Sequence, residues 1–102
     1  MKKEQRENPA PELYQALMTL KTEDEFVLFF NDLCTKKEIH ALEQRFQVAR
    51  MLHDGHIYNA ILEKTGASSA IVSRVNRNLQ NGSEGYEIAF SRMESAEDGA
   101  EK

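Results

Sequence analysis

Apolar residues recur at helical spacing along most of the chain, and polar residues or glycines interrupt them at regular places. Leu13, Leu17 and Leu20, with Tyr14 and Ala16, make a first stripe that Pro11 can open and that reaches about Lys21. Thr22-Glu23-Asp24-Glu25 is a capping box, and the helix it opens, Glu23 to Leu33, carries Phe26, Val27, Leu28, Phe29, Phe30 and Leu33. A helix so apolar all round is expected to be covered on most sides. In so short a chain this points to a second copy, with Phe26, Phe29, Phe30 and Leu33 as dimer-interface residues. A central core helix of a monomer is the alternative. A second capping box, Thr35-Lys36-Lys37-Glu38, opens a helix to about His53 with Ile39, Leu42, Phe46, Ala49 and Leu52 on one stripe. Arg45 and Arg50 fall off that stripe, and Asp54-Gly55 is a stop signal.

The next stretch, Gly55 to Leu79, organises the rest. It reads as a helix-turn-helix spanning about residues 58–80. A first helix runs from about Tyr58 to Lys64, and Gly66 stands where the chain must turn through a left-handed conformation. Ser68 or Ser69 can cap the second helix, from about Ser69 to Gln80. Val72, Val75 and Leu79 are its apolar face. Ser69, Ala70, Ser73, Arg74 and Arg77 point the other way, and such small and cationic side chains suit close approach to a DNA major groove. A helical hairpin with a solvated polar face would show the same spacing. What favours DNA is that no acidic residue occurs from Lys64 to Ser83.

Asn81 to Gly85 breaks the pattern, and Tyr86, Ile88, Ala89, Phe90 and Met93 suggest one last short helix that packs back. The organisation expected is therefore a flexible N-terminal tail over residues 1–10, one helical DNA-binding domain over residues 11–93, and a disordered acidic tail over residues 94–102. The fold class is all-α, with no strand pattern of useful length.

Composition narrows the chemistry. With Asp+Glu 17 against Lys+Arg 13, the net charge of -4 argues against binding polyanions over the whole surface but leaves room for a basic patch. Cys34 is the single cysteine, so neither a disulfide framework nor a multi-cysteine metal site is expected, and a reducing cytoplasm fits. The opening residues lack the apolar core of a signal peptide, and no apolar run approaches membrane-spanning length. His53-Asp54-Gly55-His56 sets two histidines near an aspartate, but the remaining zinc ligands are missing and exposed turn residues explain them; no metal is expected. There is no phosphate-cradling loop and no nucleophile elbow, so neither an enzyme nor a cofactor is expected.

The segment from Leu33 to Leu79 resembles the tryptophan repressor superfamily. The matching pieces are Leu33 to Leu42, Arg45, the Asp54-Gly55 break, and Gly66 to Arg74. The short YerC/YecD branch, with its Glu-Lys-Thr-Gly-Ala-Ser and Ser-Arg-Val-Asn-Arg runs, is the closer in pattern; here these are Glu63 to Ser68 and Ser73 to Arg77. The resemblance implies about six helices in an intertwined homodimer, with two recognition helices that read a palindromic operator. It implies DNA-reading positions at Ser69, Ala70 and Ser73, and backbone-approaching positions at Tyr58 and Asn59. Ser68, Arg74 and Arg77 complete the candidate DNA-binding set. Thr35, Arg45 and Arg74 fall where the tryptophan repressor holds its corepressor. This chain departs from that site: Ile71 stands for a Thr, Val75 for a Gly and Asn78 for a Ser. Added bulk of this kind argues against free tryptophan as corepressor. The function implied is a DNA-binding transcriptional regulator, a repressor in character. A protein-interaction or scaffold dimer of the same fold without DNA binding is the alternative.

Overall fold

Helices here begin and end where a side chain or a glycine supplies a backbone partner that the helix itself cannot. The computed structural model describes residues 7–82 and 84–100, with side chains through Glu97. Among these residues are α1 (Pro11–Leu17), α2 (Glu23–Leu33), α3 (Lys36–His53), α4 (Tyr58–Thr65), α5 (Ser69–Gln80) and α6 (Glu84–Ala100), and no strand. The all-α expectation holds. The chain divides into two units, one up to Ile39 and one from His40.

In the first unit both threonines cap their helices, and the second capping box closes fully, whereas at the first the glutamate reaches one residue beyond its cap. Thr22 Oγ1 accepts from the Glu25 amide at 3.1 Å, and the Glu25 carboxylate accepts from the Lys21 amide at 2.7 Å. Thr35 and Glu38 satisfy each other's amides reciprocally, at 3.1 and 2.9 Å. These bonds fix where α2 and α3 start, but they bury nothing. No residue of α1 or α2 is buried, and Phe26, Val27, Leu28 and Leu33 are 39%, 50%, 66% and 52% exposed. The expectation that α2 is covered on most sides therefore fails within one chain. Phe29 and Phe30 meet edge to face at 5.8 Å and are half-buried.

The second unit holds the core: Val48 and Ala49 from α3, Ile61 from α4, Ala67 from the turn, Val72 and Val75 from α5, and Phe90 from α6. Fully burying a large apolar side chain contributes about 1.5–3 kcal/mol, so these contacts, absent from α1 and α2, stabilise the second unit. Val48 lies outside the single stripe read for α3, yet it is fully buried, whereas Leu42 on that stripe is 44% exposed. A helix packed on two sides buries a wider arc than one stripe.

The last helix is longer than expected. The acidic stretch from Glu94, expected to be disordered, is helical through Ala100; residues 1–6 and 101–102 of the two expected tails lie outside the described residues. Phe90 anchors α6, with Phe46 and Tyr86 at ring distances of 5.5 and 5.7 Å, and the Arg50 guanidinium lies 5.6 Å from its ring centre. His53 Nε2 lies 3.3 Å from a Glu94 oxygen, which carries the helix across the start of the acidic stretch.

Candidate nucleic-acid interface

Two glycines frame the helix-turn-helix. At the end of α3, Gly55 takes φ +89°, its amide donates to the Leu52 carbonyl at 3.1 Å, and His56 donates to the Met51 carbonyl at 3.0 Å. This is the paired closure of a Schellman motif, and it aims the chain into α4. Ile57 precedes α4 and offers no side-chain cap, so the first amides of α4 face outward beside the exposed Tyr58 and Asn59. At the other end Gly66 takes φ +71°, and its amide closes on the Leu62 carbonyl at 2.9 Å.

The turn is tied by side chains as well. Thr65 Oγ1 donates to the Ile61 carbonyl at 2.7 Å and accepts from the Ala67 amide at 3.1 Å. Gln44, on α3, donates from Nε2 to the Thr65 carbonyl at 3.0 Å. Ser68 is the residue that caps α5: its hydroxyl oxygen accepts from the Ile71 amide at 3.2 Å.

From that cap α5 presents the two faces read from its sequence. Val72 and Val75 are buried at 0% and 2% exposure, Leu79 is half-buried, and Ser69, Ala70, Ser73, Arg74 and Arg77 are all exposed. No carboxylate lies on α5, so both guanidiniums project from a helix with nothing acidic of its own to neutralise them. Small side chains beside two cations on a rigidly seated helix can follow a groove and meet phosphate.

Behind this face lies an open cavity of 360 Å³ lined by Arg45, Arg74, Val75, Asn78 and Tyr86. The structure thus brings together two of the three candidate effector residues, Arg45 and Arg74, with two of the three departures, Val75 and Asn78. Thr35 belongs to the first unit, where its Oγ1 is occupied as a cap. Ile71 does not line the cavity but packs against the core. Tyr86 was not foreseen as part of this wall, because nothing local in the sequence ties it to α5. On another surface Glu94 joins His53 and Asp54, their ligand atoms within 4.8 Å of one another. These three exposed groups could hold a cation, although the Arg50 guanidinium already lies 3.7 Å from Asp54.

Residues 10–94 match the sequence profile of the Trp repressor protein family. The chain is 45% identical over 86 residues to the uncharacterized protein YerC of Bacillus subtilis (strain 168), a match that covers 84% of this chain and 83% of YerC. Among solved structures it is similar to a candidate Trp repressor from Staphylococcus aureus, with a TM-score of 0.81 and 42% identity over 90% of this chain and 92% of that one. It is also similar to a TrpR-like protein from Eubacterium eligens ATCC 27750, with a TM-score of 0.80 and 46% identity over 89% of this chain and 94% of that one.

Proposed function

The chain belongs to the Trp repressor family, and from that premise we propose that it is a sequence-specific DNA-binding transcriptional regulator, a repressor that acts as a homodimer on a palindromic operator. The observation that carries this reading is the pairing of faces on α5. Val72 and Val75 seat the helix in the core while Ser69, Ala70, Ser73, Arg74 and Arg77 stand exposed with no acid among them. In the proposed complex α5 lies in the major groove, Ser69, Ala70 and Ser73 approach base edges, and Arg77 meets phosphate. Tyr58, Asn59 and the uncapped amides of α4 face the backbone of the same duplex. The exposed Phe26–Leu33 face, with Phe29 and Phe30, packs against the second copy, which sets the spacing of the two recognition helices.

The family is regulatory rather than enzymatic, and no catalysis is part of the proposal. Among the described residues no helix is long and apolar enough to cross a membrane; we place the protein in the cytoplasm, where its DNA is. Free tryptophan is not its corepressor in this reading, because the Val75 side chain and Asn78 stand in the wall where a flat ring would lie. The protein binds operator alone or with another small molecule.

Selection of sites from random double-stranded DNA, followed by titration of the winning site against salt, tests the proposal. A palindromic winner whose affinity falls steeply with salt, through counterion release, is expected. Failure to enrich any sequence would instead favour an interaction or scaffold dimer of this fold.

A further inference from the structure

We infer that Gln44 is a positioning residue for DNA reading: through Thr65 it fixes the direction in which α5 leaves the turn. This rests on the proposal that α5 reads DNA.

The turn between α4 and α5 is a short run of backbone, so a small rotation at Thr65, Gly66 or Ala67 swings every base-facing side chain beyond it. Two kinds of contact restrain that rotation. Apolar burial of Ile61, Ala67 and Val72 holds the two helices together, but such contacts are non-directional. The hydrogen bonds are directional, and they converge on Thr65. Its carbonyl is one of the last of α4, which the helix cannot satisfy itself. Gln44 reaches it from α3, 21 residues away in sequence, in a part-buried setting. Thr65 Oγ1 then links the Ile61 carbonyl to the Ala67 amide across the glycine. Ala67 is only 6% exposed, so its amide has little water to fall back on.

Gln44 also stands beside the turn without crowding it. A Cβ at Gly66 would find the Gln44 amide nitrogen at 3.9 Å, ordinary contact distance. The side chain is therefore a tie and not a wedge. Loss of the tie leaves the core intact and frees the angle of α5. The consequence is a fall in discrimination, not in folding.

The test uses the full chain and three substitutions. Gln44→Met keeps the length and removes the donor. Gln44→Lys is one bond longer but flexible, and it retains a donor suited to the negative end of α4. Thr65→Val removes the hydroxyl bridge. Each is titrated with the selected duplex and with a random-sequence duplex, and the ratio of the two affinities is read so that the charge change in Gln44→Lys cancels. Thermal melting and amide hydrogen exchange are recorded in parallel. A net hydrogen bond of ordinary strength corresponds to about a three- to tenfold effect. The ratio is expected to fall by about that factor in Gln44→Met and Thr65→Val, and to recover in Gln44→Lys. Exchange at Ala67 should quicken in Thr65→Val, while Gln44→Met stays cooperatively folded with its melting temperature lowered by only a few degrees. A parent that discriminates, with Gln44→Met discriminating equally well, overturns the inference alone. Equal losses in Gln44→Met and Gln44→Lys overturn it too, because the donor is then not what matters. A parent that prefers no sequence overturns the DNA reading itself. In that case an unchanged Ala67 exchange rate in Thr65→Val would show separately that the turn does not depend on these bonds.

Discussion

Arg77 and Ser73 should fail in different ways when each is replaced by alanine, and the difference can be computed in advance. Both are exposed on α5, and neither belongs to the buried core that seats the helix, so both variants should fold and melt like the parent. In the proposed complex Arg77 meets phosphate. If each recognition helix loses one phosphate contact, a dimer loses two, and the slope of log affinity against log salt becomes shallower by about 1.8. Between about 50 and 200 mM salt that difference amounts to about tenfold in the affinity lost. The selected and random duplexes should be weakened alike, since phosphate carries no sequence information. In the proposed complex Ser73 approaches a base edge. Ser73→Ala should leave the salt slope unchanged and reduce discrimination by about 1–3 kcal/mol in each half-site, roughly five- to 150-fold per half-site. Fluorescence anisotropy with labelled duplexes over a salt series measures both quantities at once. A parental slope in Arg77→Ala together with parental discrimination in Ser73→Ala would show that this face of α5 does not meet DNA.

Other expected outcomes concern assembly, ligand and turn. Phe29→Asp in both chains removes about 1.5–3 kcal/mol of burial per site, a large share of the roughly 5–15 kcal/mol that small proteins possess, so no stable dimer should form; a parent of monomer mass whose melting is independent of concentration would contradict this. L-tryptophan titrated into the protein by calorimetry, with and without operator DNA, should give no saturable heat; micromolar binding or a rise in operator affinity would show that Val75 and Asn78 leave room for it. Gly66→Ala meets no atom closer than 3.9 Å, so its cost should be the left-handed backbone alone, about 1–2 kcal/mol in denaturant unfolding. Ser68→Ala should cost about 1 kcal/mol through loss of the α5 cap, and an unchanged midpoint would mean that the Ser68–Ile71 bond contributes nothing in solution.

Much of the fold was legible because its boundaries rest on local chemistry. Thr22 and Thr35 mark helix starts, and Gly55 and Gly66 mark ends, through interactions spanning a few residues that any reader of the sequence can find. The amphipathic split of α5 was equally plain, since one helix contains the whole pattern. What stayed hidden depends on residues distant in sequence. Gln44 carries no motif that links it to Thr65, and Tyr86 none that links it to Arg45 and Arg74. The acidic stretch after Met93 misled for another reason. Its composition suits a disordered tail, but Ala and Glu are strong helix formers, and the His53–Glu94 pair and the buried Phe90 extend α6 into it. The apolar excess of α2 was read correctly as a pattern, while its lack of cover within one chain could be seen only in three dimensions.

If the proposed regulator pairs through the bare apolar face of α2, gene dosage becomes part of its control circuit. If two chains must meet before that face is covered, dimer abundance at low expression rises with the square of chain abundance. Operator occupancy then responds to synthesis and to dilution by growth more steeply than a monomeric binder could. A chain that has not yet met its partner displays Leu28, Val27 and Leu33 to proteases and chaperones. On that proposal its removal would sharpen the threshold further, and the surface that assembles the regulator would also clear the cell of its surplus halves.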